Sequence, residues 1–385
     1  MRVALVGDEY YPDIGGAPQY ALGLSLQLVK LGIETVVITH THSGQLEEEE
    51  IDGVKIRRVK GGVLNHPHRT FSPLLFCRCY KYILDEKFDV VHGLDFYSTM
   101  ALMVIPFARI FRIPCVLTCH TARGSPFLIF WQRLISWAFM FRRADRLIAV
   151  SRASARFSRL LGFSEKRVTV VPNGVDLSCF NGKMDTSVMR EELGIGDEPL
   201  VVTALRLIKG KSPELLISAF ARVLEVVPDA KLVIAGSGRE EDNLSRQIKD
   251  LNITNAVFMV GKLKKEKVAQ LMATADVFVL PSKMESFGLT LLEASAAGLP
   301  VVCANAGGIP EVFRDGFNGL LYPPGDDDAM AKAIIRLLQD RELAKKISAN
   351  AMETAGRFTW GRTAEQTLQV YKEVLQEKTP RRSRH

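Results

Sequence analysis

ADVFVLPSKMESFGLTLLEASAAGLPVVCAN (275–305) holds two short apolar runs around one helix-length segment. ADVFVLPS (275–282) and LPVVCAN (299–305) are continuous rather than alternating in hydrophobicity. A strand reads that way when both faces of its sheet are covered. The loop after the first run leads into a helix beginning near Gly288, and Gly298 and Pro300 close that helix. Strand, helix and strand in this order make a parallel crossover unit.

The unit repeats outward along nearly the whole chain. VALVG (3–7), TVVITH (35–40), DVVHG (89–93), IPCVLTCH (113–120), DRLIAVS (145–151) and RVTVVPN (167–173) read as one series of strands. PLVVTAL (199–205), AKLVIAG (230–236) and AVFMVG (256–261) join the two quoted runs in a second series. Helical segments fall at 16–31, 213–227, 239–251, 264–274 and 326–339. The alternation predicts two doubly wound α/β domains, and 385 residues are too many for one ordinary core. The turn-rich VPNGVDLSCFNGK (171–183) sits between the series, so the domains are drawn as 1–175 and 176–360. The tail KTPRRSRH carries no element signal.

Composition excludes several classes. A hydrophobic content of 47% with 24% charged residues is that of a soluble globular protein. No stretch reaches the ~18 apolar residues of a membrane span. MRVALVG meets Asp8 and Glu9 too soon for a signal peptide and reads as a first strand. The six cysteines form no CxxC or regular framework, as expected of reduced thiols in the cytoplasm. The net charge of +7 lies wholly in residues 1–170, with 22 Lys/Arg against 15 Asp/Glu. Within 123–167 ten basic residues face two acidic ones. Such a patch implies an anionic partner or a plain solvated face. No RNA- or DNA-binding motif accompanies it, so a nucleic-acid partner is not expected.

The chemistry concentrates in PSKMESFGLTLLEASAAGLPVV (281–302). Gly288 lets backbone amides approach a ligand, and free N–H groups at a helix start favour anions. Glu285 lies in the loop and Glu293 on the helix, with seven residues between them. A capped helix with a carboxylate near its dipole explains Glu285 alone. It does not explain an acid buried in LLEASAA. A carboxylate beside an anion site suits a ligand with both phosphates and hydroxyls.

This segment resembles the E-x7-E signature of the retaining GT-B glycosyltransferases, especially glycosyltransferase family 4, and the resemblance covers almost the whole chain. It implies a GT-B fold, with two Rossmann-like domains facing across a cleft and the C-terminal helix (361–376) packing back on the first. It also implies sugar transfer from a nucleotide-sugar donor, a co-substrate, with no cofactor and no metal. Glu285 matches the residue that holds the donor sugar hydroxyls, and Glu293 the acid on the ribose. Phe287, Gly288, Leu289 and Thr290 match the backbone stretch that meets sugar and phosphates. TALRLIKGKSPELLISAF (203–220) is similar to the family's G-R-L-x-x-x-K-G stretch, placing Arg206 and Lys211 on the leaving diphosphate. Leu205 and Ser212 stand where that pattern has glycine. Gly236 would line the donor cleft, and Lys262 and Leu263 would meet the base.

In GDEYYPDIGGAPQYALGLSLQL (7–28) a loop bearing Gly15 and Gly16 joins the first strand to a helix. Its spacing is not G-x-G-x-x-G, which counts against a dinucleotide oxidoreductase. The resemblance makes it the glycine loop touching donor phosphate and acceptor. LTCHTARG (117–124) puts His120 at a strand's carboxyl end, where open α/β sheets bind ligands. It matches the family's cleft histidine, and catalytic roles fall to His120, Glu285, Arg206 and Lys211. Histidines 40, 42, 66, 68 and 92 lack metal spacing, and DDD (326–328) reads as a helix cap.

SPFLIFWQRLISWAFMFRR (125–143) is apolar, with Gln132, Arg133, Ser136 and Arg143 on one helical stripe. It reads equally as an interfacial helix on an anionic membrane and as a cleft or core helix. The first reading implies a lipid or lipid-linked acceptor at the cytoplasmic membrane face. The second implies a soluble sugar or phosphosugar. A nucleotide-sugar epimerase and a silent glycosyltransferase-like subunit remain alternatives.

Overall fold

The computed structural model describes every residue except 14, 42–45, 60–72, 123–143, 181–185 and 379–385. The segment 125–143 therefore lies outside the described residues. The chain divides into two compact units, one formed by Met1–Gly174 with the segment from Trp360 onward, the other by Val175–Thr359.

The first unit carries an eight-stranded sheet in the order β3-β4-β2-β1-β5-β6-β7-β8. Its strands are β1 (Arg2–Val6), β2 (Glu34–His40), β3 (Glu48–Ile51), β4 (Val54–Val59), β5 (Val90–Gly93), β6 (Cys115–Cys119), β7 (Arg146–Ala149) and β8 (Val168–Val170). All pairs are parallel except β3 with β4. The central strands are buried on both faces, as continuous apolar runs require. Helix α1 (Gly16–Lys30) follows β1, and α2 (Pro73–Asp85) and α3 (Thr99–Ile110) flank β5. Helix α4 (Arg152–Leu160) connects β7 to β8, its N-terminus capped by the Ser151 hydroxyl.

The second unit has a six-stranded, all-parallel sheet in the order β11-β10-β9-β12-β13-β14. Its strands are β9 (Leu200–Ala204), β10 (Lys231–Ala235), β11 (Val257–Gly261), β12 (Val277–Leu280), β13 (Val301–Ala304) and β14 (Leu320–Tyr322). The helices are α5 (Thr186–Leu193), α6 (Pro213–Val226), α7 (Glu241–Asp250), α8 (Lys265–Thr274), α9 (Leu289–Ala296), α10 (Asp327–Gln339) and α11 (Arg341–Arg357). Val201, Ile234, Val279 and Val302 from the sheet pack with Leu216, Phe220, Met330 and Ile334 into one buried core. Asp326 caps α10 by accepting the Ala329 N–H at 2.9 Å, so the DDD run is a cap.

The last helix, α12 (Trp360–Lys378), returns to the first unit and packs along α1. Its Thr363 hydroxyl donates to the Pro172 carbonyl at 2.9 Å, and Lys378 pairs with Asp145 at 2.7 Å.

Three strands escape the sequence reading. β3 (EEEI) is too charged to look like a strand, β4 (VKIRRV) carries three cations, and β14 has only three residues. The antiparallel β3 also departs from the expected all-parallel sheet; it covers the β4 edge with a short, charged strand, a common protection of exposed edges.

Candidate active site

In the second unit, β9 and β12 are neighbours although their successors lie on opposite sides. The loops leaving their carboxyl ends must therefore diverge, and such a switch point is where open α/β sheets bind ligands. Residues 205–212 leave β9 and residues 281–288 leave β12, so Arg206, Lys211 and Glu285 all come to this point.

The two loops meet in an ion pair between the Lys211 ammonium and the Glu285 carboxylate, both partly buried. Lys211 closes a single 3-10 turn, and Ser212 then takes φ 51° at the N-cap of α6. That left-handed conformation suits glycine, the residue expected here from the resemblance, and a serine tolerates it at some cost. Arg206 is exposed beside this turn, its carbonyl accepting the Ile208 N–H at 2.9 Å.

Neighbouring loops set the path of both segments. Leu205 N–H donates to Ala235 O at 3.0 Å and Leu207 N–H to Ser237 O at 2.9 Å. Gly236, with φ 144°, sits so close to this zipper that a Cβ would lie 1.8 Å from the Leu205 carbonyl. Backbone crowding alone thus demands a glycine there. The Glu285 carbonyl accepts the Gly308 N–H at 2.8 Å, and a Cβ on Gly307 would lie 1.9 Å from that same oxygen. The carboxylate of Glu285 is aimed by a loop held from behind.

Gly288, with φ 85°, starts α9, and its carbonyl accepts the N–H groups of Leu291 and Leu292. By helix geometry the amides of Leu289 and Thr290 have no intrahelical acceptor. Phe287 is buried edge-on against Phe358, with ring centres 5.8 Å apart. Glu293 is only 6% exposed inside α9, a degree of burial that carboxylates rarely reach without partners. Lys262 is exposed and Leu263 half-buried after β11, the edge strand, while Gly236 N–H donates to Gly261 O at 2.7 Å. The structure thus brings Arg206, Lys211, Gly236, Glu285 and the 287–290 stretch around β9 and β12, with 262–263 farther along the sheet end.

In the first unit the switch point lies between β1 and β5. Gly15, in extended backbone, precedes α1, which starts at Gly16, so the glycine loop runs directly from β1 into that helix. His120 follows β6, and its Nε2–H donates to the Leu94 carbonyl at 3.1 Å. That bond leaves Nδ1 of the neutral ring as an acceptor. Burial pushes the ring's pKa down to about 4, outweighing the opposite pull of the Leu94 carbonyl. The ring packs edge-on against Tyr20, with centres 4.4 Å apart.

The sequence reading missed Asp95 beside it. Burial drives this carboxyl up to about 7, backbone N–H groups of Tyr97 and Phe96 oppose the rise, and the nearby charges of Asp8 and Glu9 add to it. Its Oδ1 is buried without a hydrogen-bond partner among the described residues. Asp8 itself is committed to the start of α3, accepting from Thr99 N–H at 2.8 Å, Met100 N–H at 2.9 Å and the Ser98 hydroxyl at 3.0 Å. An acid directly after a strand, two residues past a glycine, was the one available signal for Asp95.

With this geometry in place, similarity to known proteins is informative. Residues 185–354 match the family model of glycosyl transferases group 1, and residues 14–178 that of Glycosyltransferase Family 4. The chain is 32% identical over 396 residues to a D-inositol 3-phosphate glycosyltransferase of Frankia alni, covering 94% of this chain and 95% of that protein. It is 29% identical to an uncharacterized glycosyltransferase of Methanocaldococcus jannaschii, covering 98% and 99% of the two chains. Among solved structures, HepE of Anabaena in complex with UDP-glucose superposes with a TM-score of 0.81 at 23% identity, covering 97% of this chain and 100% of that one. These similarities and the two parallel-sheet units identify the chain as a member of the group 1, family 4 glycosyltransferases of the GT-B fold.

Proposed function

We propose that the protein is a retaining glycosyltransferase whose second unit holds a nucleotide-sugar at the carboxyl ends of β9 and β12. The observation that carries this reading is the Lys211–Glu285 pair at that switch point, on loops whose paths are enforced by Gly236 and Gly307. In the reading, the sugar hydroxyls displace the ammonium from Glu285, and the freed Lys211 joins Arg206 on the diphosphate. The amides of Leu289 and Thr290 and the α9 dipole add to that charge stabilisation. Glu293 accepts the ribose hydroxyls, while Lys262 and Leu263 flank the base. HepE, a relative in fold, was solved with UDP-glucose, which supports a nucleotide-sugar donor here.

Catalysis then consists of positioning and charge stabilisation. The bond from the anomeric carbon to the diphosphate oxygen breaks as the acceptor oxygen bonds to the same face of the sugar. The acceptor proton passes to a diphosphate oxygen, so no protein base and no metal is invoked. His120 serves as a neutral hydrogen-bonding group toward the sugar, consistent with its depressed pKa. The acceptor is a hydroxyl compound bound by the first unit. Read as an interfacial helix, the run 125–143 would give a lipid or lipid-linked acceptor at the cytoplasmic membrane face; read as a cleft or core helix, it would give a soluble sugar or phosphosugar. No helix of the described residues is long and apolar enough to cross a membrane.

The test is the configuration of the product. Purified protein is incubated with UDP-glucose, and with the GDP and ADP counterparts, plus inositol 3-phosphate and lipid-linked sugars, and the anomeric proton is followed by NMR. An α-linked product from an α-linked donor is expected. A β-linked product would overturn retention, and donor isomerisation without transfer would favour an epimerase.

A further inference from the structure

A chain of buried polar groups runs behind His120, and its far end lies on the last helix. The Tyr371 hydroxyl of α12 is 2.6 Å from His92 Nδ1, and His92 Nε2 is 2.7 Å from the Thr118 hydroxyl. Thr118 Oγ1 is in turn 3.1 Å from the Tyr20 hydroxyl. Tyr20, Thr118, His92 and Tyr371 are each 0% exposed. His92 stays neutral, since burial and, secondarily, the charge of His120 hold its pKa down to about 3. A neutral imidazole has one donor and one acceptor, so each ring nitrogen suits one hydroxyl and the four groups form a directed chain. Tyr20 ends it, standing between His120 at 4.4 Å and Trp360 of α12 at 6.0 Å, edge-on to both. Trp360 is seated against α1 so closely that a Cβ on Gly23 would lie 2.3 Å from its ring.

We propose that α12 is a positioning element for His120, acting through Tyr371, His92 and Thr118 on the Tyr20 ring against which the His120 imidazole rests. A buried histidine with both nitrogens bonded to hydroxyls is more than a core filler requires, because an apolar side chain would fill the same volume without needing partners. Helix α12 therefore does more than fasten the end of the chain. It sets the orientation of a ring whose hydrogen bond, among the described residues, is to the Leu94 carbonyl. The consequence for turnover rests on the proposed role of His120; the effect on the ring itself does not.

The experiment uses the full chain labelled with 13C-histidine, with the His120 ring signal assigned by its loss in His120→Gln. Tyr371→Phe, which removes one hydroxyl, is expected to move or broaden the His120 signal as well as that of His92. Thr118→Val is expected to do the same, and Thr118→Ser to restore the wild-type position. Thr363→Ala, which loosens α12 outside the chain, should leave His120 unmoved. Where a donor is turned over, Tyr371→Phe and Thr118→Val should lower kcat by about tenfold, with the donor KM unchanged. An unmoved His120 signal in both folded variants overturns the proposal, whether or not turnover has been found. An equal shift in Thr363→Ala would also overturn it, as general loosening of the helix.

Discussion

At the carboxyl ends of β9 and β12 the key side chains are charged and paired, Lys211 with Glu285. At the ends of β1, β5 and β6 they are held close to neutrality, with His120 and His92 deprotonated and Asp95 titrating at about 7. Both sheets present the same topological feature, a reversal of strand order beside the first strand of the unit. The difference therefore comes from the loops. A site for a diphosphate needs cations waiting in it, and a site for hydroxyls needs groups that hydrogen-bond without strong charge. Under the proposed function one fold would serve both, because the sheet sets only where the loops converge.

The contrast can be broken most forcefully at Lys211. Lys211→Ala should lower kcat by roughly 10²–10³-fold, the usual effect of removing one preorganised charge-stabilising group. Thermal stability should change by less than about 1 kcal/mol, because the pair is partly solvated. Steady-state kinetics beside thermal unfolding read both. A large loss of stability with unchanged kcat would make the pair structural.

Asp95 sharpens the other side. The folded protein keeps its proton up to about pH 7, whereas an unfolded aspartate loses it near about pH 4. The native state thus binds more protons across that window, and this group's contribution to stability falls as pH rises through it. Asp95→Asn cannot ionise, so it should gain on the order of 2 kcal/mol over wild type at pH 8 and little at pH 4. His120 and His92 act in the opposite sense, their contribution being lost as pH falls from about 6.5 toward their depressed values. Chemical denaturation at several pH values separates the two trends. An Asp95→Asn advantage independent of pH would contradict the assignment.

The smallest effect is expected at Ser212. Its φ of 51° costs about 1–2 kcal/mol for a residue with a side chain, and glycine's greater freedom when unfolded takes part of that back. Ser212→Gly should therefore stabilise by roughly 0.5 kcal/mol. A destabilised variant would show that the Ser212 hydroxyl, which donates to Lys209 O at 3.3 Å, contributes more than the strain.

The second unit was the more legible of the two in sequence. Its strands are uniformly apolar, and the residues gathered at β9 and β12 lie in contiguous motifs, 206–211 and 285–293. The ion pair between them was not legible, because nothing local says that Lys211 and Glu285 meet across 74 positions. In the first unit the working groups are single polar residues at the ends of apolar strands. His92 inside VVHG looks like an ordinary core position, and its partner Tyr371 stands 279 residues away. Asp95 gives no sign in sequence that one of its oxygens lacks a partner among the described residues. Periodicity finds elements, while such contacts arise only from how elements assemble.

The most direct test of the donor site is thermal unfolding of wild type and Glu293→Ala with UDP-, GDP- and ADP-sugars. A ligand bound only by the folded state stabilises it by about 2.7 kcal/mol at a hundredfold excess over its dissociation constant. One nucleotide class is expected to raise the wild-type midpoint by several degrees and to leave Glu293→Ala unmoved. No shift in wild type with any donor at millimolar concentration, or an equal shift in both proteins, would contradict it.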